Sequence, residues 1–395
     1  MPVTREHPSI TVETTISEPL PKKEFYASLG GIHIHEWYPE GTRTNRDIAL
    51  LLLQTRTGQP LDEDRILKTT GVRNRHIAGP HDTVQSMARH AFAPIADEFG
   101  NEIVGIAALT SHPDDKGLYP GQNHAASLAT YFSLHNLLPN LDNRTANDQP
   151  AKETTDIHIA CSSGAEAVAH FGRHQKSIGK SRIAIVGAEL YTPTLADPTK
   201  GEVDPSHSYA IFGDGAGAIS YRPQDLTVLG SLPVSFDPNK ANALRMQIRR
   251  DLIREPALWL PIPVTNYTIG PDGAIMFTEK FSMDGNAVYE EMVDLGHVID
   301  WFIDSLKIDP KDIAAIIPHQ ASSSVLEGAR RRLREELREK FYINLEDGNY
   351  SSISLFKALG ELIRDGRVKL GDIVILAGFG AGLFASLQAI KLGEK

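Results

Sequence analysis

The sequence predicts an α/β fold. Short apolar runs rich in Val and Ile alternate with helix-length amphipathic stretches, which is the pattern of helices layered on a sheet of buried strands. The composition, 41% hydrophobic and 23% charged, is typical of a globular protein and excludes a largely disordered or collagen-like chain. At 395 residues the chain is long enough to bury a sizeable core, as one large domain or two fused halves.

Five buried strands are predicted, each a short aliphatic run bounded by polar or turn-forming residues. They cover residues 103–110, 156–160, 183–187, 313–318 and 373–377. Helices are expected directly after Cys161, before Ile313, and through the charged stretch 325–340. In that last stretch, opposite charges lie three and four residues apart, which is typical of a solvated helix face.

A weak internal repeat relates two parts of the chain. RIAIVGAEL around Ile183 resembles DIVILAGFG around Ile373, 190 positions later. Nearly the same offset aligns Cys161 with the segment NYSSIS. The strands at 103 and 313 are 210 positions apart. Two similar halves explain both separations, although buried strands also resemble one another by chance.

The repeat predicts a tail over 1–27, an N-terminal half over 28–225 and a C-terminal half over 226–395. The tail is polar, has early prolines and lacks the apolar core of a signal peptide, so we expect it to be mobile or to wrap the surface. Residues 235–272 form a long excursion with apolar content, for which we expect a lid or a pocket wall.

Charge and cysteine content exclude several classes of function. The net charge of −10 argues against a general affinity for nucleic acid or for an anionic membrane. The longest aliphatic run, 48–53, is far shorter than the ~20 residues of a membrane span. A single cysteine excludes an internal disulfide and suits a reducing compartment. We therefore expect a cytoplasmic protein with no nucleic-acid or membrane partner.

That single cysteine, Cys161, lies where a predicted strand turns into a helix of small residues. Unpaired N–H groups and the positive end of the helix dipole stabilise a thiolate there, so we expect a lowered pKa and a nucleophilic thiol. The alternative is a buried structural cysteine, which is the usual state of a lone Cys in an apolar setting.

Two further polar residues follow predicted elements in the C-terminal half. His319 comes directly after the strand 313–318, and Asn349 lies between a turn-prone Asp-Gly pair and a helix. Taken singly, His319 is most simply a loop histidine whose hydrogen bonds are made locally, and Asn349 is most simply a helix-capping residue. The order Cys, His, Asn, each at an element boundary, instead favours one joint site.

Two glycine clusters accompany these residues. IFGDGAGA at 211–218 lacks the lysine of a phosphate loop, so its glycines indicate close backbone packing. GFGAGL at 378–383 can present a backbone N–H to a developing oxyanion, or form a tight turn. His33 and His35 share a strand face, but no third ligand is near in sequence, and we expect no metal site.

With these residues in view, the chain resembles the ketoacyl-acyl carrier protein synthase III family of the thiolase fold. The resemblance runs from about residue 42 to 392 and carries the family's blocks in order: TRTNRDI, TTGVRNRHIAGPHDTVQSM, ACSSG, FGDGAGA, MDGNAVY, PHQA, GNYSSIS and GFGAGL. It implies a duplicated five-layer α/β/α/β/α sandwich and a homodimer.

The resemblance also implies roles for single residues. Cys161 takes an acyl group from a thioester, and His319 and Asn349 hydrogen-bond the thioester carbonyl of a second substrate, typically malonyl-carrier protein. Decarboxylation of that substrate gives a carbanion that attacks the acyl-cysteine. The backbone N–H groups of Cys161 and Ala381 match an oxyanion hole, and Phe379 matches a residue that lines the site. No cofactor is implied beyond acyl-CoA or carrier-bound phosphopantetheine thioesters as substrates.

Departures from the family pattern concentrate where coenzyme A binds. Arg65 and Thr69 replace a tryptophan and an arginine that clamp the nucleotide, and the longer loop 197–208 lacks a further arginine. Ser322 replaces the last asparagine of the histidine motif and lies in the expected substrate pocket. We therefore expect a specialised member whose acyl donor is carrier-bound, or one that binds coenzyme A differently.

Arg331 and Arg332 match positions where the family often carries basic residues that dock an acidic carrier protein. The alternative is that they pair with Glu335, Glu336 and Glu339 on the same helix.

Two other functions remain open on the sequence, and a third is set aside. One is transfer of the acyl group to a hydroxyl or an amine, with His319 as general base. Another is a non-catalytic subunit that binds a carrier protein, against which the intact Cys, His and Asn set counts. A papain-type hydrolase shares the residue order, but it has neither the duplicated architecture nor the two glycine clusters.

Overall fold

Two β-sheets lie one above the other, with helices between them and on both outer faces. The computed structural model describes residues 23–51, 62–79, 81–111, 153–192, 208–236, 244–248, 268–269, 275–276, 279–283, 285–381 and 383–394. No helix in these ranges is both long enough and apolar enough to span a bilayer.

The strands of the described residues are, in chain order, β1 (Lys23–Leu29), β2 (Ile32–Tyr38), β3 (Gly41–Thr44), β4 (Asn74–Ile77), β5 (Ile103–Leu109), β6 (Glu153–Ile157), β7 (Arg182–Glu189), β8 (Gly215–Tyr221), β9 (Leu226–Ser235), β10 (Leu244–Ile248), β11 (Thr268–Ile269), β12 (Ile275–Met276), β13 (Glu279–Met283), β14 (Ile313–Pro318), β15 (Ile373–Gly380) and β16 (Phe384–Leu392). The helices are α1 (Asn45–Leu51), α2 (Glu63–Thr70), α3 (Val84–Phe99), α4 (Ser163–Arg173), α5 (Gln175–Ile178), α6 (Gly285–Ser305), α7 (Ser323–Arg332), α8 (Glu335–Arg338) and α9 (Ser354–Arg364).

The two large sheets share one pattern. The first has the strand order β1-β2-β8-β7-β5-β6, with β5 parallel to β7 and β8 antiparallel to β7. The second has the order β14-β15-β16-β9, with β14 parallel to β15 and β16 antiparallel to it. The trio β5, β7 and β8 of the first sheet thus corresponds to β14, β15 and β16 of the second.

Alternate residues of the central strands face different layers, as the two-residue period of a strand requires. Ile183 and Ile185 of β7 pack on a central layer that contains α4 and α9, whereas Ala184 and Val186 face α3 on the outside. In the second sheet, even-numbered residues of β15 face the same central layer, and its other face packs on α6 and α7. These five layers confirm the α/β fold class and the duplicated sandwich that the resemblance implies.

The spacing of the repeat differs by one residue from the sequence expectation. Strands β7 and β15 begin at Arg182 and Ile373, 191 positions apart, and α4 and α9 begin at Ser163 and Ser354, also 191 apart. The predicted spacing of 190 is wrong because both strands are buried on both faces, so their central runs are apolar at every position and carry no alternation that fixes the register.

The contacts of two glycines support the corrected spacing of 191 residues. Gly187 and Gly378 are 191 positions apart, and each packs on the turn of the opposite half. A Cβ on Gly187 would lie 2.3 Å from Ile353 Cγ2, and one on Gly378 would lie 3.0 Å from the Cα of Ser162. Ser162 and Ile353 are again 191 positions apart, so the two halves contact each other reciprocally around the turns that begin α4 and α9.

Two sequence expectations about local structure need correction. The tail expected over 1–27 ends earlier, because Lys23–Leu29 forms β1 and pairs antiparallel with β2. The single helix expected over 325–340 is two helices, α7 and α8, with extended backbone at Leu333. The guanidinium of Arg334 bonds Asp300 on α6 at 3.0 Å, so tertiary contacts override helix propensity at the break.

The other expectations divide between described and undescribed residues. Each of the five predicted strands is present, with ends that differ by at most three residues. The lid or pocket wall expected over 235–272 lies mostly outside the described residues, as do residues 1–22 of the tail and most of the loop 197–208.

Candidate active site

A cavity of about 570 Å³ opens where strands of both sheets end. Its wall contains every residue that the sequence placed at or beside the reacting centre: Cys161, Ser322, His319, Asn349, Phe379 and Ala381. Ser111, two residues after the end of β5, also lines it, and the amino-terminal ends of α6 and α7 close one side. The structure therefore brings the three candidate catalytic side chains to one mostly apolar cavity.

Cys161 lies in a short 3₁₀ turn, Ala160–Ser162, that leads directly into α4. Ala160 adopts φ 44°, a left-handed conformation that costs energy for a residue other than glycine and that turns the chain sharply before the thiol. A Cβ on Gly380 would lie 2.9 Å from the backbone nitrogen of Cys161, so only glycine lets β15 approach the thiol this closely. The glycine cluster of β15 thus has a packing role at the turn.

The thiol itself is buried, and its Sγ lies 3.2 Å from the Oγ of Ser351. Burial raises the pKa of Cys161 to about 12, the hydrogen bond with Ser351 partly opposes that rise, and the nearby Glu189 adds to it. The lowered pKa expected from the helix dipole is therefore wrong: loss of hydration outweighs the dipole. At neutral pH the thiol therefore holds its proton, and a nucleophilic role would require a neighbouring group that accepts it.

His319 follows β14 and is fixed by its backbone, whose N–H donates to the carbonyl of Ala377 at 2.8 Å. Burial lowers the pKa of His319 to about 3, so the imidazole is neutral at neutral pH. A neutral imidazole carries one N–H donor and one unprotonated nitrogen.

Asn349 is held by β-type pairing with the first glycine cluster. Its N–H donates to the carbonyl of Ile211 at 2.9 Å, and its carbonyl accepts from the N–H of Gly213 at 3.1 Å. Its side-chain Oδ1 accepts from the N–H of Ser351 at 2.8 Å, which fixes the orientation of the amide. The Nδ2 group consequently points toward His319, with 3.4 Å between Nδ2 and the histidine Nε2. When the proton of the neutral imidazole is on Nε2, two N–H donors can converge on one oxygen atom in the cavity.

The glycines of 211–218 pack closely, as the sequence indicates. A Cβ on Gly213 would lie 3.1 Å from the ring of Tyr350, and one on Gly215 would lie 2.8 Å from the ring of Tyr38. Between them, Asp214 is buried and accepts the N–H groups of Tyr191 at 2.6 Å and Ala78 at 2.8 Å. This cluster fixes the backbone that supports Asn349.

Three polar residues at the site were missed by sequence reasoning. Ser351 contacts the thiol, Ser111 Oγ lies 3.1 Å from Ser351 Oγ, and Glu189 accepts from Ser111 Oγ at 3.2 Å. Ser111 follows β5, and Glu189 ends β7. A polar residue at the carboxyl end of a buried parallel strand is the sequence signal that indicates such a position.

The remaining predicted pocket residues line the same cavity. Phe379 packs edge-on against Phe236, with ring centroids 5.4 Å apart. Ser322 precedes α7 without a side-chain cap bond, and Thr69 on α2 also faces the cavity. Arg65, the other substituted clamp position, does not line the cavity.

The two arginines assigned to carrier docking lie on α7 and are exposed. Arg332 pairs with Asp294 of α6 at 2.9 Å, and the neighbouring Arg330 pairs with Glu327 at 2.8 Å. These partners are not the glutamates at 335, 336 and 339 that the alternative expected, because the chain leaves the helix at Leu333. The side chain of Arg331 has no ion-pair partner within the described ranges.

Neither histidine of the IHIHEW strand belongs to a metal cluster in the part of the chain that the structure describes. The ring of His33 lies 4.2 Å from the ring of Phe99, centroid to centroid, and His35 Nδ1 lies 2.9 Å from the carbonyl of Ala91. Both side chains thus pack against α3.

Comparisons with known proteins agree with this architecture. The family model described as 3-Oxoacyl-[acyl-carrier-protein (ACP)] synthase III C terminal matches residues 303–392. A β-ketoacyl-[acyl-carrier-protein] synthase III of Salmonella arizonae is 26% identical over 350 residues, which cover 88% of this chain and 94% of that protein.

Two solved structures share the fold. The 3-oxoacyl-(acyl carrier protein) synthase III of Pseudomonas aeruginosa PAO1 superposes with a TM-score of 0.67 at 21% identity, covering 94% of this chain and 98% of that one. The priming β-ketosynthase of the R1128 polyketide biosynthetic pathway superposes with a TM-score of 0.67 at 22% identity, covering 96% of this chain and 99% of that one.

Proposed function

Because the chain belongs to the 3-oxoacyl-[acyl-carrier-protein] synthase III family, we propose that it is an acyltransferase that joins two thioesters by decarboxylative Claisen condensation. One observation carries the proposal: a buried thiol and two N–H donors on facing side chains share a single cavity. The reaction serves fatty-acid, specialised lipid or polyketide synthesis.

In the first half-reaction, the Cys161 sulfur attacks the carbonyl carbon of an acyl thioester. The backbone N–H groups of Cys161 and Ala381 stabilise the oxyanion that develops on that carbonyl. When the tetrahedral intermediate collapses, the carbon–sulfur bond of the donor breaks, the donor leaves as a thiol, and the acyl group remains on Cys161.

In the second half-reaction, a malonyl thioester enters the same cavity. His319 Nε2 and Asn349 Nδ2 donate hydrogen bonds to its thioester carbonyl oxygen, which becomes negatively charged as carbon dioxide leaves. The carbanion attacks the acyl carbon on Cys161 and forms a carbon–carbon bond. The bond between that carbon and the Cys161 sulfur then breaks, and the released thiolate takes one proton from water. Because His319 is neutral at pH 7, it can donate a hydrogen bond without placing a positive charge in an apolar cavity.

The pairing of His319 with Asn349 weighs against the main alternative, in which His319 is a general base. Two donors 3.4 Å apart suit the negative charge that develops on one carbonyl oxygen, whereas removal of a proton from a hydroxyl or an amine needs no second donor. A role in binding alone needs no thiol in the cavity wall.

The substrates are acyl groups carried on coenzyme A or on the phosphopantetheine arm of an acidic carrier protein, and no other cofactor takes part. The exposed Arg331 and Arg332 supply the positive charge for carrier docking; they lie at the carboxyl end of α7, whose amino-terminal end lines the cavity. The protein acts as a homodimer in the cytoplasm, where its single thiol stays reduced.

Carbon dioxide release tests the proposal. The protein is incubated with an acyl thioester and a [¹⁴C-carboxyl] malonyl thioester, and both carbon dioxide and the product are measured. We expect one carbon dioxide for each β-ketoacyl thioester formed. Acyl transfer to another acceptor without carbon dioxide release would overturn the proposed reaction.

A further inference from the structure

A continuous chain of hydrogen-bonding groups leads from the Cys161 thiol to a buried carboxylate. The thiol Sγ lies 3.2 Å from Ser351 Oγ, Ser351 Oγ lies 3.1 Å from Ser111 Oγ, and Ser111 Oγ lies 3.2 Å from Glu189 Oε1. The four residues come from four separate elements of the two halves of the fold. Each link is within hydrogen-bonding range.

Three of the four residues in this chain are buried, and the carboxylate at its far end is firmly held. Ser351 and Glu189 are fully buried, and Cys161 is 6% exposed. The carboxylate accepts the N–H of Ser111 at 3.0 Å and that of Ser352 at 3.2 Å, in addition to the Ser111 hydroxyl. Backbone donors on both sides therefore fix its position.

The backbone at Ser351 is strained in a way that serves the contact. Its φ is 45°, which non-glycine residues rarely adopt and which proteins retain mainly at functional sites. This conformation places the hydroxyl beside the thiol while the N–H of the same residue fixes the Asn349 side chain. One residue thus joins the nucleophile to the donor pair.

We propose that Glu189 is a positioning residue that accepts the proton of Cys161 through the hydroxyls of Ser351 and Ser111 during acyl loading. This inference rests on the proposed function and adds the route by which a buried thiol becomes a nucleophile. It also gives a reason for a carboxylate beside a thiol, where a fixed negative charge alone disfavours the thiolate.

Each proton that moves in the relay has a named donor and a named acceptor. The Cys161 S–H proton moves to Ser351 Oγ, the Ser351 hydroxyl proton moves to Ser111 Oγ, and the Ser111 hydroxyl proton moves to Glu189 Oε1. The sulfur then bonds to the acyl carbon and the donor sulfur leaves. Reversal of the relay returns one proton from Glu189 to the departing sulfur, which leaves as a neutral thiol and regenerates the carboxylate.

Other titratable groups face this chain and bear on its pH dependence. Tyr191 has a pKa raised by burial and by the charge of Glu189, so it stays protonated. The pKa of His158 is lowered by burial, but hydrogen bonds with Asp156 and Thr110 outweigh that effect and raise it overall. His319 is neutral throughout the range of interest.

The rate of Cys161 alkylation by iodoacetamide between pH 5 and 10 tests the relay. We expect Glu189→Gln to slow alkylation at pH 7 at least tenfold and to restore reactivity only at alkaline pH, because the thiol must then ionise without an acceptor. If Glu189 acts only as a nearby charge, its removal lowers the pKa of Cys161, and alkylation at pH 7 becomes faster. An unchanged or faster rate therefore overturns the relay.

Two variants guard against a merely structural effect. Ser351→Ala breaks the relay at its first hydroxyl, and alanine tolerates this backbone, since Ala160 has φ 44° at the corresponding turn. It should reproduce the pH profile of Glu189→Gln, whereas Ser111→Thr keeps a hydroxyl and should retain most of the wild-type rate. Glu166→Gln removes a carboxylate from α4 that bonds Arg173 and Ser386, and its profile should match the wild type.

Iodoacetamide needs no acyl donor, so the relay and the proposed function fail separately. Unaltered alkylation in Glu189→Gln, together with normal acyl loading, overturns the relay and leaves the condensation intact. Absence of acyl loading in the wild type overturns the condensation, whatever the alkylation profile shows.

Discussion

Ala160 and Ser351 adopt the same left-handed conformation, with φ of 44° and 45°, at corresponding turns of the two halves. The first turn presents the thiol of Cys161, and the second presents the hydroxyl of Ser351, 3.2 Å from that thiol. The duplicated turn thus carries the candidate nucleophile in one half and a hydroxyl that contacts it in the other.

The donor pair should act in the second half-reaction. We expect His319→Ala and Asn349→Ala each to slow condensation by ~10²–10³ while acyl loading of Cys161 changes far less, because the proposed mechanism assigns both donors to the carbonyl of the second substrate. Single-turnover loading and steady-state carbon dioxide release measure the two steps separately. An equal loss in both steps would make His319 part of thiol activation instead.

The depressed pKa of His319 predicts how stability depends on pH. Between its pKa of about 3 in the folded protein and about 6.5 in the unfolded chain, the unfolded state binds the extra proton, so stability falls as pH falls through this window. The His319→Gln variant has no such titration. Between pH 7.5 and 5.0 its free energy of unfolding should therefore fall by about 2 kcal/mol less than that of the wild type. Urea unfolding at both pH values measures the difference. Identical losses would show that His319 is not protected from protonation.

Gly380 should tolerate no side chain. A Cβ there would lie 2.9 Å from both the Cys161 nitrogen and the Ile159 carbonyl oxygen, which are backbone atoms that move only with the turn. We expect Gly380→Ala to destabilise the protein by about 1–3 kcal/mol and to slow acyl loading. Gly79→Ala is the matched control, since its nearest neighbour is 3.4 Å away at the end of the Asp82 side chain. Equal effects of both substitutions would contradict the close approach.

Charge reversal on α7 tests carrier docking. The double variant Arg331→Glu and Arg332→Glu should reduce turnover with a carrier-bound substrate, most strongly at low salt, because rim charges mainly set the association rate. Turnover of a short pantetheine thioester should stay unchanged. Lys311→Glu, at the opposite end of β14 from His319, is the control. If turnover falls equally with the carrier-bound substrate and with the pantetheine thioester, the carrier docks on another surface.

Local patterns in the sequence predicted the strands and the candidate residues, since each lies in an aliphatic run or at its end. They did not predict the break at Leu333, where Arg334 finds partners on α6, or the contact of Ser351 with the thiol. The raised pKa of Cys161 escaped prediction for the same reason. Burial depends on residues far along the chain, whereas a helix start is visible locally.

Acyl loading tests the central claim most directly. The wild type and Cys161→Ala are incubated with a panel of acyl-CoA and acyl-carrier thioesters, and intact-mass and peptide mass spectrometry locate any added acyl group. We predict one acyl group per chain of the wild type, attached at Cys161, and none on a folded Cys161→Ala variant, because a methyl group forms no thioester. A variant that is still acylated and still turns over would contradict the account.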